Sequence, residues 1–162
     1  MLALSEIAPA FVHMAHRIVW CTVSTVDGAN RPRSRVLHPF WEWDGAGLTG
    51  WIATMRTGPK KTHLEHSAFT ACNYWAQNHD TCLAECRASW EQDPAVRERV
   101  WRLFADAPEP LGYDPGGIGV PGWDGPSSPA FSVLRLDPWR VRVLTGEQLA
   151  TGKKAMSWRE EK

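Results

Sequence analysis

Short apolar runs separated by glycine-containing turns are the feature that most constrains the fold of this chain. Residues 17–26 are rich in β-branched side chains, and the Asp-Gly stretch at 27–30 is typical of a hairpin turn. Residues 31–43 are expected to return antiparallel, and after a second turn at 44–47 a third strand is expected at 48–54. Consecutive hairpins build antiparallel sheets, so the sequence predicts a mainly β protein.

The rest of the chain continues this pattern with more strands and three short helices. Apolar residues three and four apart, or a proline in the first turn, mark the helices. Residues 106–129, rich in Gly, Pro and Asp, are expected to form a long irregular loop. The strands are predicted at 69–75, 81–90, 130–136 and 139–144, and the helices at 4–17, 59–66 and 94–107.

Length and cysteine content indicate one domain in a reducing compartment. A chain of 162 residues can bury a core without cross-links. We expect a domain at 1–145 and a polar C-terminal tail at 146–162. Neither a secretory leader nor an apolar run long enough to span a membrane is evident, so a cytoplasmic protein is expected. The cysteines lie in strand-like runs and are predicted to be buried, reduced thiols: Cys21, Cys72, Cys82 and Cys86.

The charges balance overall but are unevenly distributed. Eighteen basic and eighteen acidic residues give a net charge of zero, which argues against general nucleic-acid binding. Residues 31–61 nevertheless hold six basic and two acidic residues, whereas residues 91–137 hold four basic and eight acidic ones. Basic side chains near the start of a helix are typical of a phosphate site, although they are also compatible with a solvated surface. The basic residues concerned are Arg31, Arg33, Arg35, Arg56, Lys60 and Lys61.

The order of these elements resembles the FMN-binding split-barrel proteins related to pyridoxamine 5′-phosphate oxidase, a superfamily that includes the deazaflavin (F420)-dependent reductases. The resemblance runs from about residue 4 to 144 and rests on the spacing of the strands and of Lys60, four residues before Leu64. It implies a six-stranded antiparallel split β-barrel with three short helices. It also implies a homodimer with the cofactor at the interface between the two subunits.

The resemblance further implies a cofactor site on the basic segment. Arg35, Val36 and Leu37 match the strand that lines the flavin, and Lys60 matches the phosphate-binding lysine. Thr54 matches a small hydroxyl residue near the ring and phosphate, and Thr81 lies near the position of a ring-contacting glutamine. Pro59 stands where the family oxidase usually has an arginine. The remaining cofactor candidates are Arg33, Arg56 and Lys61.

The function implied is that of a flavin- or deazaflavin-dependent oxidoreductase. A hydride would pass between FMN, or alternatively F420, and a small organic substrate, with no catalytic side chain and no metal ion required. His38, Trp75 and Trp123 are substrate-site candidates, the last on a loop that would close over the ring. No histidine follows His79, so the late Arg-x-His motif of the pyridoxal phosphate-forming oxidase is missing.

Two alternatives stay open at this point. One is a non-catalytic cofactor-binding or storage protein, or a haem-handling split barrel. The other concerns the tryptophans on neighbouring strands, which would fill the barrel core or form a cofactor wall: Trp41, Trp43 and Trp51.

Overall fold

An antiparallel sheet of eight strands, accompanied by four helices, forms the described part of the chain in the computed structural model, residues 1–161. Residue 162 of the expected tail lies outside the described residues. The helices are α1 (Leu4–Ile18), α2 (Gly58–His66), α3 (Pro94–Asp106) and α4 (Gly146–Ala150). The strands are β1 (Cys21–Val26), β2 (Pro32–Leu37), β3 (Phe40–Trp43), β4 (Leu48–Thr54), β5 (Phe69–Trp75), β6 (Thr81–Trp90), β7 (Ser132–Leu144) and β8 (Met156–Arg159).

The sheet is an open path rather than a closed barrel. Its strand order is β2-β1-β5-β6-β7-β4-β3, and β8 pairs with β7 beside this path. The longest strand, β7, pairs with β6 along most of its length, with β4 through its first half and with β8 through its second half. The predicted mainly β, antiparallel class is confirmed, and the topology is compatible with a split barrel.

The expected six strands and three helices were too few. Pro39 has no backbone N–H for a sheet ladder, and the predicted strand at 31–43 is divided there into β2 and β3. The predicted polar tail contains α4 and β8, because Met156 and Trp158 pack against the core. The strand predicted at 130–136, with its continuation at 139–144, is the uninterrupted strand β7, in which a bulge at Trp139 accommodates Pro138.

A buried core lies between α1 and the sheet. Ile7, Phe11 and Met14 on one face of α1 are buried against it. Phe11 meets the Trp41 ring edge-to-face, with centroids 4.9 Å apart. The Trp41 indole N–H donates a hydrogen bond of 2.8 Å to the Tyr74 hydroxyl, which satisfies both buried polar groups. Trp41 therefore belongs to the core.

A second apolar cluster joins the long loop to the sheet. Val100 and Phe104 of α3 pack with Trp51 on β4 and with two loop residues, Trp123 and Phe131. The Trp123 indole N–H donates to the Ala130 carbonyl at 3.2 Å. This cluster fixes part of the loop at 107–131, which forms one wall of the site described below.

The four cysteines are buried and unpaired, which confirms the predicted free thiols. They lie on the neighbouring strands β1, β5 and β6 as part of the main core. In the described part of the chain, no helix combines the length and apolar character that crossing a bilayer requires.

We expect Gly50→Ala to destabilise the protein by about 1 to 3 kcal/mol, the usual cost of overpacking a rigid core. Gly50 is the register partner of Trp41, and a Cβ at this position would lie 2.7 Å from the Trp41 ring. Urea denaturation measures the difference. Gly58→Ala is the matched control, because its Cβ would meet nothing within 4 Å. Equal loss of stability in both variants would contradict this account of Trp41.

Candidate functional site

A cavity of about 540 Å³ opens where β2 and β4 end, and it is called the main cavity below. Its size is within the range of cofactor and small-molecule sites. The ends of the two strands, the start of α2 and the loop at 107–131 supply its walls. The lining residues are Trp20, Val36, Leu37, His38, Ala53, Thr54, Met55, Thr57, Lys60, Pro110, Gly112, Tyr113, Ile118, Val120 and Trp123.

One end of the main cavity carries a buried ammonium group. Pro59 in the first turn favours the start of α2, and Lys60 follows it on the buried face of the helix. The Lys60 side chain is only 6% exposed. Its Nζ donates hydrogen bonds to the Thr54 hydroxyl and, at 3.0 Å, to the Met55 carbonyl. The end of β4 therefore holds the ammonium group in place.

A second cation, Arg35, lies near Lys60. Its Nη2 donates a hydrogen bond of 2.9 Å to the Thr25 hydroxyl, while its Nη1 is buried without a partner in the described part of the chain. Among residues 1–161, no carboxylate lies within 4.0 Å of the charged nitrogens of Arg35 or Lys60. A buried donor without an acceptor is rare in folded proteins. The site thus has positive charge and an unused hydrogen-bond donor.

Burial lowers the pKa of both cations, and repulsion by Arg35 adds to the effect at Lys60. Burial, with a further contribution from the nearby charge of Arg35, lowers the pKa of Lys60 from 10.5 to about 8. Burial also lowers the pKa of Arg35. Two like charges without a counter-charge are costly in a protein interior, and an anion between them would relieve the cost. Perturbed cations in a cavity are typical of functional sites.

The Thr25 hydroxyl links Arg35 to the helix that carries Lys60. The Thr25 Oγ1 that accepts from Arg35 also lies 2.9 Å from Nδ1 of His63, and both Thr25 and His63 are buried. His63 stands on α2, one helical turn after Lys60. The contact therefore couples the orientation of Arg35 on β2 to the helix that carries Lys60.

The rest of the main cavity is apolar or neutral. The His38 ring packs near the rings of Trp20 and Tyr113, with centroids 5.2 and 5.4 Å away. Burial, together with the charge of His16, lowers the pKa of His38 to about 4, and burial raises the pKa of Tyr113. Both side chains are therefore neutral at pH 7. This region suits an uncharged, flat group rather than an ion.

Six of the predicted site residues line the main cavity, and Arg35 joins them through its contacts with Thr25 and its effect on Lys60. Val36 and Leu37 are the last two residues of β2, and Thr54 is the last residue of β4, so all three lie at the strand ends that border the cavity. The residues that the structure brings together are Arg35, Val36, Leu37, His38, Thr54, Lys60 and Trp123.

The structure does not bring the other predicted residues to this cavity. Arg33 is exposed and lies 4.0 Å from the Asp27 carboxylate, and Lys61 is exposed and pairs with Glu65 at 3.6 Å. Arg56 lies over the Trp90 ring. Thr81 borders a different, smaller cavity, and Trp75 is exposed at the end of β5. Trp51 is buried in the second apolar cluster, where its indole donates to Glu42.

Several residues of the site were not predicted from the sequence. Thr25 and His63 are 38 positions apart, and only the placement of α2 against β1 unites them. The i,i+3 spacing of Lys60 and His63 was an available signal, because such residues share one helix face. Tyr113 and Trp20 lie in irregular segments, where side-chain direction has no sequence period.

Within residues 1–161 there is no cluster of three or more His, Cys, Asp or Glu side chains suited to a metal ion.

Comparisons with known proteins show what this fold resembles. No model of a known protein family matches the chain, and no curated protein matches its sequence. A solved structure from Clostridium acetobutylicum, of a protein related to general stress protein 26 of Bacillus subtilis in the pyridoxinephosphate oxidase family, has a TM-score of 0.70 at 13% identity. That match covers 96% of this chain and 95% of the other.

Two further structures agree with this match. A pyridoxamine 5′-phosphate oxidase-related, FMN-binding protein from Nostoc punctiforme has a TM-score of 0.65 at 15% identity, covering 99% of this chain and 100% of the other. A NimC/NimA family protein from Clostridium acetobutylicum has a TM-score of 0.67 at 11% identity, covering 95% and 90%. The chain therefore has the fold of pyridoxamine 5′-phosphate oxidase-like proteins.

We expect Lys60→Met to stabilise the ligand-free protein by about 1 to 3 kcal/mol at pH 7, because it removes a buried, repelled charge and keeps an unbranched side chain that is one atom shorter. The pKa of Lys60 is about 8 in the folded state and 10.5 in the unfolded chain. The charged side chain therefore destabilises the folded state by its full amount below pH 8. The advantage of the variant should therefore shrink as pH rises from 8 to 10.5. Urea denaturation at several pH values measures it.

Lys61→Met is the matched control for this prediction. Lys61 neighbours Lys60 in sequence but is exposed and paired with Glu65, so its replacement should change stability by less than about 0.5 kcal/mol. A Lys60→Met protein that is less stable than this control at pH 7 would contradict the proposed electrostatic cost.

Proposed function

We propose that this protein is a flavin- or deazaflavin-dependent oxidoreductase that binds FMN, or alternatively F420, in the main cavity. The observation that carries the proposal is the buried Lys60 ammonium group at one end of an otherwise apolar cavity, with the half-buried Arg35 guanidinium close to it. A phosphate group carries close to two negative charges at neutral pH and accepts several hydrogen bonds. It would supply the counter-charge that residues 1–161 do not provide at this end of the cavity.

The donor set fits the phosphate of such a cofactor. Lys60 Nζ, the unpartnered Arg35 Nη1 and the Thr54 hydroxyl provide an ammonium, a guanidinium and a hydroxyl group at one end. Val36 and Leu37 provide an apolar strand end for the ring. The FMN-binding protein of Nostoc punctiforme, which shares the fold, supports the choice of a flavin.

A bound flavin would supply the hydride chemistry, and the protein would bind, orient and shield it. Arg35 and Lys60 would fix the phosphate end, which sets the position of the ring. Tyr113 and Trp123 on the loop at 107–131 would limit the access of water. Neutral His38 would offer a hydrogen bond to a small organic substrate without adding charge.

Two further features refine the proposal. The late Arg-x-His motif of the pyridoxal phosphate-forming oxidase is missing from the sequence, which supports a different substrate. Four buried free thiols support a reducing compartment such as the cytoplasm.

We also propose that the protein is a homodimer with the main cavity at the interface. Three side chains point away from the core on β2 and β5: Val36, Phe69 and Trp75, which are 64%, 54% and 57% exposed. Exposed apolar residues on one sheet face are typical of an interaction surface. Val36 also lines the main cavity, so a second copy on this face would cover part of the site.

Titration of the protein with FMN tests the cofactor site. Lys60→Met should weaken FMN binding about tenfold or more, the scale of a charge-assisted phosphate contact, while Lys61→Met should leave it unchanged. Riboflavin, which lacks the phosphate, should bind both variants and the parent protein alike. FMN affinity should also fall as pH rises through about 8, where Lys60 loses its proton, and Lys60→Arg should remove that pH dependence.

The same preparation separates the alternatives. Absorption spectra after parallel titration with FMN, F420 and haem identify which cofactor is bound. Transfer of hydride from the reduced, loaded protein to any of a panel of organic acceptors distinguishes an enzyme from a storage protein. An absence of binding by all three cofactors would overturn the proposal.

Light scattering on a size-exclusion column tests the dimer. The parent protein should elute with twice the mass of one chain, and the double variant Phe69→Glu/Trp75→Glu should be monomeric and bind FMN about tenfold more weakly. Leu149→Glu is the control, since Leu149 is exposed on α4 outside this sheet face. A parent protein that remains monomeric with FMN bound would rule out the proposed interface.

A further inference from the structure

A small recess lies at the junction of β6, α3 and β7, outside the main cavity. It has a volume of about 190 Å³, and it is called the Trp90 recess below. The loop between β4 and α2 connects it to the main cavity, because Met55 and Thr57 line the cavity while Arg56 between them lines the recess. The Trp90 recess is lined by Arg56, Trp90, Glu91, Gln92, Arg97, Pro129, Phe131 and Ser132.

Two buried N–H groups in this recess have no hydrogen-bond acceptor among residues 1–161. They are the indole Nε1 of Trp90 and the Nε of Arg97. A buried donor without an acceptor costs about 1 to 3 kcal/mol, so two of them at one place require an explanation. Both side chains line the recess, which lacks among residues 1–161 the acceptor that these two donors require.

The recess also has an excess of positive charge. The Arg56 guanidinium lies over the Trp90 ring, 5.3 Å from its centroid. Arg97 is held by the carbonyls of Ser128 and Phe131, which accept hydrogen bonds from its Nη2 at 3.0 and 2.6 Å. Within the described residues, neither arginine has a carboxylate within 4.0 Å of its charged nitrogens.

Glu91 is the one acidic residue among the described residues that line the recess, and its carboxylate already accepts hydrogen bonds. Glu91 Oε1 accepts hydrogen bonds from the backbone N–H groups of Gln92 and Asp93, at 2.8 and 2.9 Å. These contacts turn it toward the chain leading into α3. Two arginines and one tryptophan therefore line a recess whose acidic side chain already accepts two backbone hydrogen bonds.

We propose that the Trp90 recess is a second anion site, which takes a small carboxylate or phosphate group. Planar guanidinium groups match both anions, and the indole N–H adds a neutral donor. The occupant is either a free anion or an anionic group of a ligand that extends from the main cavity around the loop at 55–57. The site goes beyond the proposed cofactor site, because it uses neither Arg35 nor Lys60.

The indole N–H signals in a nitrogen-15 NMR spectrum test the proposal at the site itself. The Trp90 indole signal is identified as the one that is missing from the spectrum of Trp90→Phe. This variant keeps an aromatic ring at the position. Titration of the parent protein with phosphate and with acetate, at constant ionic strength, should move the Trp90 signal to a plateau. Arg56→Gln should raise the anion concentration at the midpoint about tenfold, whereas Arg102→Gln, at an exposed arginine on α3, should not change it.

Two further arms identify the occupant and separate this proposal from the first. Lys60→Met should leave the response of the Trp90 signal intact, so loss of FMN binding and loss of the second site are distinguishable. Movement of the signal by F420, with its carboxylate tail, at cofactor concentrations would assign the recess to the ligand of the main cavity. Movement by phosphate or acetate alone would assign it to a free anion. A signal that stays still, shifts without a plateau, or responds equally in Arg56→Gln would overturn the second site.

Discussion

The burial of Lys60 beside Arg35, with no carboxylate of residues 1–161 within 4.0 Å of their charged nitrogens, is the constraint on which the rest of the site depends. Such a pair persists only where the surrounding structure is stable enough to hold it. Here the rigid end of β4, the Thr25–His63 contact and the core below α1 provide that support. The cation pair thus lowers the stability of the folded state locally, and contacts elsewhere in the fold offset this loss. Functional sites commonly have this property.

Much of the sheet could be predicted because its strands carry local signals. The turn at 27–30 joins β1 to β2, and the turn at 44–47 joins β3 to β4. The alternation of apolar residues located most of the remaining strands. β8 was missed because only its contacts with β7 and the core stabilise it, and these are not visible in four residues of sequence. The break at Pro39 was readable in principle from the missing N–H.

The candidate site could be predicted only in part. Thr54 and Lys60 follow β4 at fixed spacing, so a resemblance in element order was enough to find them. Thr25, His63 and Tyr113 come from three separate segments, which only the tertiary packing brings together. Arg56 shows the limit of spacing arguments, because it immediately precedes Thr57 of the main cavity yet its side chain lies over Trp90 on the other side of the loop.

The wall supplied by the loop at 107–131 has a consequence for how such proteins diverge. Trp123 and Phe131 attach this segment to the second apolar cluster, while the sheet pairs without it. Substitutions at Pro110, Ile118 or Val120 would alter the shape of the cavity without disturbing a strand register. The cation pair and this wall of the cavity are therefore on separate parts of the fold, so substitutions can reshape the wall while the cation pair stays in place.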